Sequence, residues 1–256
     1  MMKEALSLGS RSPSVLYQSF RLRKLKRFGI KSFVPPFCSG QKVLIVGAGP
    51  SATRERIDEI RENEDIVVSL NSAWKNIPDA DVQSTEFNYH DRNTYYTQIN
   101  SLLARPKKPL VFKPHSLLRL EDAAVLKVAS LSEPLGSNNA VSYVHHFNIP
   151  GNKLLKLQRH LVNRDRTAIQ WKGSLSLWID ICWLNGVHEV SLIGTDLGSE
   201  NMKGDFVPHP TNSKNAATPS LVTMIEQLRR TGYLEGMKFT HHHYNDELRK
   251  VLSNEY

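Results

Sequence analysis

An α/β fold with a Rossmann-like parallel sheet, flanking helices and a small lid region is what this sequence predicts, on three observations. Residues 42–52 read Lys-Val-Leu-Ile-Val-Gly-Ala-Gly-Pro-Ser-Ala, an apolar strand running into a glycine turn and then a helix, as parallel sheets do where they bind phosphate. Apolar runs of strand length then alternate with helical stretches, the rhythm of a parallel sheet. Late in the chain a helix, a glycine and a strand follow one another over residues 174–193, and the strand ends in Gly194-Thr195-Asp196. Polar, glycine-bearing residues at the carboxyl end of a parallel strand lie where open α/β sheets hold ligands.

Taken in order, residues 42–46 form the first strand and 53–62 its helix, with Pro50 and Ser51 suiting a first helical turn. Strands follow at 66–70, 82–87 and 110–112, with a helix at 93–103 between the last two. Regularity weakens over 114–166, which reads as the lid or insert, with loops at 136–139 and 150–152. The helix 174–185 closes on Gly186 as a left-handed cap before the strand 189–193. A long loop spans 199–219, and long loops without periodicity are usually functional. A helix at 221–230, a strand at 238–240 and a helix at 245–252 finish the chain.

The 256 residues, 40% hydrophobic, suit one main domain over 41–256 with a basic arm over 1–40. No apolar run reaches the ~20 residues that cross a bilayer, and the first thirty residues lack the form of a secretory signal, so a cytoplasmic protein is expected. Cys38 and Cys182 have neither disulfide nor metal spacing, and Cys182 reads as core. Much of the net charge of +8 lies at the front, where Arg21, Arg23, Lys24, Lys26, Arg27 and Lys31 alternate with Leu16, Phe20, Leu22, Leu25, Phe28 and Ile30. Two readings stay open: a segment lying on an anionic membrane surface, making the protein peripheral on the inner membrane, or a solvated arm. No nucleic-acid motif accompanies the charge.

Gly47-Ala48-Gly49-Pro50-Ser51-Ala52 fits the G-x-G-x-x-G/A spelling of dinucleotide binding. Such a site also places an acidic residue after the second strand, where this chain has Asn71. An NAD or FAD site therefore stands as an alternative, beside a tight turn without ligand. Asp79-Ala80-Asp81 has the spelling of a metal-binding transferase motif, but it precedes its strand, at the end of the sheet away from the glycine turn, and reads as a solvated turn. His241, His242 and His243, ending the last strand, are competing candidates for a proton-accepting histidine, and they lack a carboxylate-histidine pattern for a metal although Asp246 is close.

The glycine turn, the asparagine after the second strand, and the helix-glycine-strand unit containing Ser174, Gly186, Gly194 and Asp196 together resemble the bacterial lipooligosaccharide sialyltransferases of glycosyltransferase family 42. The resemblance covers about two thirds of the chain. It implies a GT-A-related fold and transfer of a sugar from a CMP-linked donor to a surface glycan, with no metal and no other cofactor. It assigns donor contacts to Gly47, Ala48, Gly49, Ser51, Asn71, Asn88, Ser174, Gly194 and Asp196, with Glu86 or Thr85 as alternatives to Asn88. His209, in the long loop, takes the place of the family's general base, an imidazole being a natural proton acceptor near neutral pH. The chain departs from the family at Gly198, where a tyrosine meets the leaving phosphate, at Trp171, where an arginine stands, although Arg166 and Lys172 are near, and at Ala48, commonly asparagine. Sialic acid and another 2-keto sugar acid such as Kdo are both compatible donors. The alternative from another class is a dinucleotide-binding protein or a non-catalytic nucleotide-binding module.

Overall fold

The computed structural model describes residues 22–33, 35, 37, 39–85, 110–112, 117, 120–130, 141–144, 146–148, 168–171, 173–196 and 218–254. In chain order these form a short helix α1 (22–27), β1 (Lys31–Ser32), β2 (Lys42–Val46), α2 (Arg54–Arg61), β3 (Ile66–Leu70), a 3-10 helix (Asn71–Lys75), β4 (Val82–Thr85) and β5 (Leu110–Phe112). Then come α3 (Asp122–Ser130), β6 (Val141–Tyr143), β7 (His146–Asn148), β8 (Ala168–Gln170), α4 (Gly173–Leu184), β9 (Glu189–Ile193), α5 (Thr218–Arg229), β10 (Lys238–His241) and α6 (Asp246–Ser253). Two compact units contain them, one built from residues 1–33 and 85–145, the other from 34–84 and 146–256.

In the larger unit the strands run β4-β3-β2-β9-β10, every neighbouring pair parallel. Val46 pairs with Ser69 on one side and Ile193 on the other. Four consecutive apolar residues of β2, Val43 to Val46, are fully buried, as expected of a strand covered on both faces. Ile57 of α2 packs with Leu44, Val46, Val67 and Ile193. Helix α4 is apolar nearly all round, with Leu177, Trp178, Ile179 and Cys182 buried, so it is enclosed rather than laid on a surface. Burial pushes the Cys182 thiol up. The helix closes as expected: Gly186 takes φ +71 while its N–H bonds Trp183 O and that of Val187 bonds Cys182 O, each at 3.1 Å. Strand β8, absent from the sequence reading, runs along α4, where the N–H of Ile169 donates to Asp180 Oδ2 at 2.7 Å. It pairs in parallel with β7.

The smaller unit bears on two expectations. Its strands run β1-β6-β5, all parallel, so part of the expected lid over 114–166 is sheet and helix. The described part of the basic segment is core rather than arm: Leu25 and Ile30, 0% and 1% exposed, pack with Leu110, Phe112, Val125, Val141 and Tyr143, and Leu22 and Phe28 pack against them. Lys24 Nζ bonds Asp122 at 2.7 Å and Leu120 O at 3.1 Å. Apolar groups engaged in this way are not available to a bilayer. Among the described residues no helix is long and apolar enough to cross a membrane. The helix expected at 93–103 and the loops at 136–139 and 150–152 lie outside the described residues, as does most of the loop 199–219.

Candidate functional site

At the carboxyl ends of β2 and β9 two loops close on each other. Gly47 donates to Ile193 O and Gly49 to Gly194 O, both at 2.8 Å. A Cβ on Gly47 would lie 2.2 Å from Gly194 O, one on Gly49 would lie 2.2 Å from Asp196 Oδ2, and one on Gly194, whose φ is +67, would lie 2.3 Å from Gly47 O. Three glycines are therefore required by the mutual approach of two backbones. Asp196, 0% exposed, fastens the pair. Its Oδ2 accepts from Ser51 N at 3.0 Å and Ser51 Oγ at 2.9 Å, and its Oδ1 accepts from Tyr244 N at 2.7 Å. Ser51 Oγ in turn accepts from Gly194 N at 2.8 Å. These bonds to a carboxylate compensate its burial.

Arg56 ties the same corner to the end of β10, donating to Ser51 O at 3.1 Å, Tyr244 Oη at 2.9 Å and His242 O at 2.8 Å. Helix α2 starts later than Pro50-Ser51 suggested, at Arg54, with Thr53 as the N-cap whose Oγ1 accepts from Arg56 N. The amides of Gly47, Gly49 and Ser51 thus bond within the protein. The expected contacts of Ser51 and Asp196 with a ligand meet a pair whose side chains already satisfy each other.

One strand over, the situation reverses. Asn71 follows β3 with φ +53, a left-handed conformation that asparagine tolerates better than most residues. Its Nδ2 donates to Ser174 Oγ at 3.4 Å, across 103 residues of sequence. Ser174 sits in the first turn of α4 and is buried. Asn71 Oδ1, Thr195 Oγ1, Gln170 Oε1 and Trp171 Nε1 are buried without a hydrogen-bond partner among the described residues. Trp171 leans edge-on against Tyr233, ring centroids 5.4 Å apart. Thr195 and Gln170 were not singled out by sequence reasoning. No periodicity marks them, and the signal is the polar ending of each strand.

His209 and Asn88 lie outside the described residues, as do Gly198, Arg166 and Lys172. Asp79 is held by Arg54 at 2.9 Å and Arg61 at 2.7 Å, and these guanidiniums keep its carboxyl well below the usual range. Asp81 accepts the Val67 N–H at 2.9 Å. Both serve the amino-terminal edge of the sheet.

The histidine run forms an ordered chain. Asn245 N donates to His243 Nδ1 at 3.1 Å, so His243 carries its proton on Nε2 and donates to His241 Nδ1 at 3.0 Å, and His241 Nε2 then donates to Ser253 Oγ at 3.0 Å. Burial foremost, with Arg249 contributing, lowers His241 to about 4, and burial followed by the charges of His241 and Arg249 lowers His243 to about 3. Among the described residues no cluster of His, Cys, Asp or Glu is arranged to hold a metal ion.

A parallel sheet of this order, with a glycine turn after its first long strand and crossover helices, defines a Rossmann-like α/β fold. No protein-family model matches the chain, and no curated protein matches it significantly. Among solved structures it is similar to the MAf glycosyltransferase from Magnetospirillum magneticum AMB-1, at 16% identity and a TM-score of 0.51, over 88% of this chain and 36% of that one. The chain thus spans little more than a third of that protein's length, and at this identity the likeness establishes the fold alone.

Proposed function

We propose that this protein is a glycosyltransferase that moves sialic acid or a related 2-keto sugar acid from a CMP-linked donor to a surface-glycan acceptor. The observation that carries the reading is the meeting of Asn71 and Ser174 at the carboxyl edge of the sheet. The resemblance to family 42 assigns donor contacts to both, and the fold brings them within hydrogen-bond distance. The likeness to a solved glycosyltransferase adds support for the reaction class. In this reading Ser51, Asp196 and the three glycines build the frame, while Asn71, Asn88 and Ser174 hold the donor.

The acceptor hydroxyl oxygen forms a bond to the anomeric carbon as the bond from that carbon to the phosphate oxygen breaks. CMP leaves with the electron pair, the acceptor proton passes to His209, and configuration inverts. CMP leaves bearing one phosphate, so less charge accumulates than on a diphosphate, and neutral hydrogen-bond donors of side chains can meet it without a metal. The acceptor is a glycan or glycolipid.

Thermal melting tests the reading. CMP or CTP raises the melting temperature of a CMP-sugar transferase, because a ligand that binds only the folded state stabilises it. NAD or FAD raising it instead would establish the dinucleotide alternative. His209→Ala loses turnover of a CMP-sugar by 10²-fold or more while retaining CMP binding. Unchanged turnover removes His209 from the mechanism.

A further inference from the structure

Of the three buried hydroxyls without a partner among the described residues, Ser69, Ser142 and Thr195, the first two lie inside β3 and β6. Thr195, 3% exposed, lies beyond the end of its strand, two residues past Ile193. A buried hydroxyl left without a partner is destabilising, because it has lost its hydrogen bonds to water and gained none. Valine would fill the same volume without that cost, so the hydroxyl calls for an explanation other than packing.

Strand register supplies its position. Because Val46 pairs with both Ser69 and Ile193, Asn71, Ala48 and Thr195 each stand two residues beyond one level of the sheet. With strands about 4.8 Å apart, Asn71 and Thr195 flank the glycine turn at a separation of about 10 Å, the reach of a nucleotide rather than of a single phosphate. Asn71 Oδ1 has no partner among the described residues either, and Asn71 holds a left-handed backbone of the kind that collects at ligand sites. Their neighbours Ser51, Gly194 and Asp196 all have partners. The two atoms without a partner among the described residues therefore stand on either side of the glycine turn, beside a frame that is itself satisfied.

Resting on the transferase reading, we propose that Thr195 is a donor-binding residue whose hydroxyl bonds the ribose-phosphate portion of CMP, opposite Asn71. The family resemblance assigned it no role. The hydroxyl is retained at a cost to the empty protein and finds its partner in the ligand.

The test pairs calorimetric titration of CMP with melting of the unliganded full chain. Thr195→Val is expected to melt at or above the wild-type temperature and to bind CMP at least tenfold more weakly, whereas Thr195→Ser stays within about threefold of wild-type affinity. A Thr195→Val protein that binds CMP as wild type does overturns the inference, and so does one that melts well below wild type, because the hydroxyl then has a structural partner. A wild-type protein that ignores CMP overturns the transferase reading itself, a result distinct from wild-type binding with an unaffected variant.

Discussion

Where β2 meets β9, Ser51, Gly194 and Asp196 all have partners, down to single carboxylate oxygens, whereas Asn71 on the β3 side of the glycine turn and Thr195 on its β9 side keep buried atoms with no partner among the described residues. The same sheet edge is thus closed in the middle and open at its flanks. The motif most conspicuous in the sequence, Gly-Ala-Gly-Pro-Ser, falls in the closed part. Its glycines are explained by packing against Gly194, and its serine by the carboxylate of Asp196. A phosphate-binding spelling can mark the place where two loops are fastened, while the buried polar atoms without a partner among the described residues belong to Asn71 and Thr195 on either side of the glycine turn.

The hardest blow to that contrast is a methyl group in the closed part. Gly47→Ala sets a Cβ 2.2 Å from a backbone oxygen that belongs to a second loop and cannot rotate away. Denaturant unfolding should show a loss on the order of 4 kcal/mol, and Gly194→Ala a similar one, since it adds a left-handed backbone penalty of ~1–2 kcal/mol. A Gly47→Ala protein of wild-type stability would mean that the two loops part easily, and the distinction between closed and open regions would fall.

Acid should loosen the closed part from behind. Tyr244 N and Asn245 Nδ2 hold Asp196, and the N–H of Asn245 bonds His243, whose ring is locked neutral by the chain running to Ser253. The imidazoles of His241 and His243 titrate below their unfolded value of 6.5, so between pH 6.5 and about 3 the unfolded chain binds more protons than the folded one. Stability is complete above pH 6.5 and falls as pH drops toward 4, with His243 alone contributing up to about 1.4 kcal/mol per pH unit inside the window. Chemical denaturation at pH 7.5, 6 and 4.5 checks the slope, and His243→Phe should flatten it. A flat profile in the wild type would show that the histidines are solvated.

Single bonds in the fastening come next. Ser51→Ala strips Gly194 N of its acceptor and should cost about 1–3 kcal/mol. Asp196→Asn, which turns an amide NH₂ toward either Ser51 or the Tyr244 N–H, should cost about as much or more. Both are measured by denaturation midpoints, and Thr195→Val, at the residue between Gly194 and Asp196, supplies the opposite sign.

What the sequence disclosed and what it concealed follow the same physics. Strands 42–46, 66–70, 110–112 and 189–193 were found to the residue because burial on both faces makes each a continuous apolar run. Lys31–Ser32, Val141–Tyr143, His146–Asn148 and Ala168–Gln170 escaped, because each is two or three residues long and, unlike the wholly apolar Leu110–Phe112, includes a polar residue, and Lys31–Ser32 hides in a basic stretch. The apolar side of that stretch was legible, but a core and a membrane ask for the same face. At the site, Asn71 and Ser174 were reached through resemblance alone, since nothing in a single sequence ties positions 103 residues apart. The bond between Ser51 and Asp196, spanning 145 residues, was hidden for the same reason.

The finest test separates the two things Asn71 does. As a turn residue it supplies a left-handed backbone, which glycine would supply with less strain. In the proposed binding role it offers Nδ2, which donates to Ser174, and Oδ1, which has no partner among the described residues. Asn71→Gly keeps the first role and deletes the second, so its stability should stay within about 1 kcal/mol of wild type, the relief at φ offsetting one long hydrogen bond and the added unfolded-state freedom. CMP affinity measured by calorimetry should nevertheless fall about tenfold, the worth of one hydrogen bond to a charged or polar ligand group. If affinity holds while stability holds, Asn71 is a turn and nothing more, the open flank shrinks to Thr195, and the donor must be read from the other side of the glycine turn.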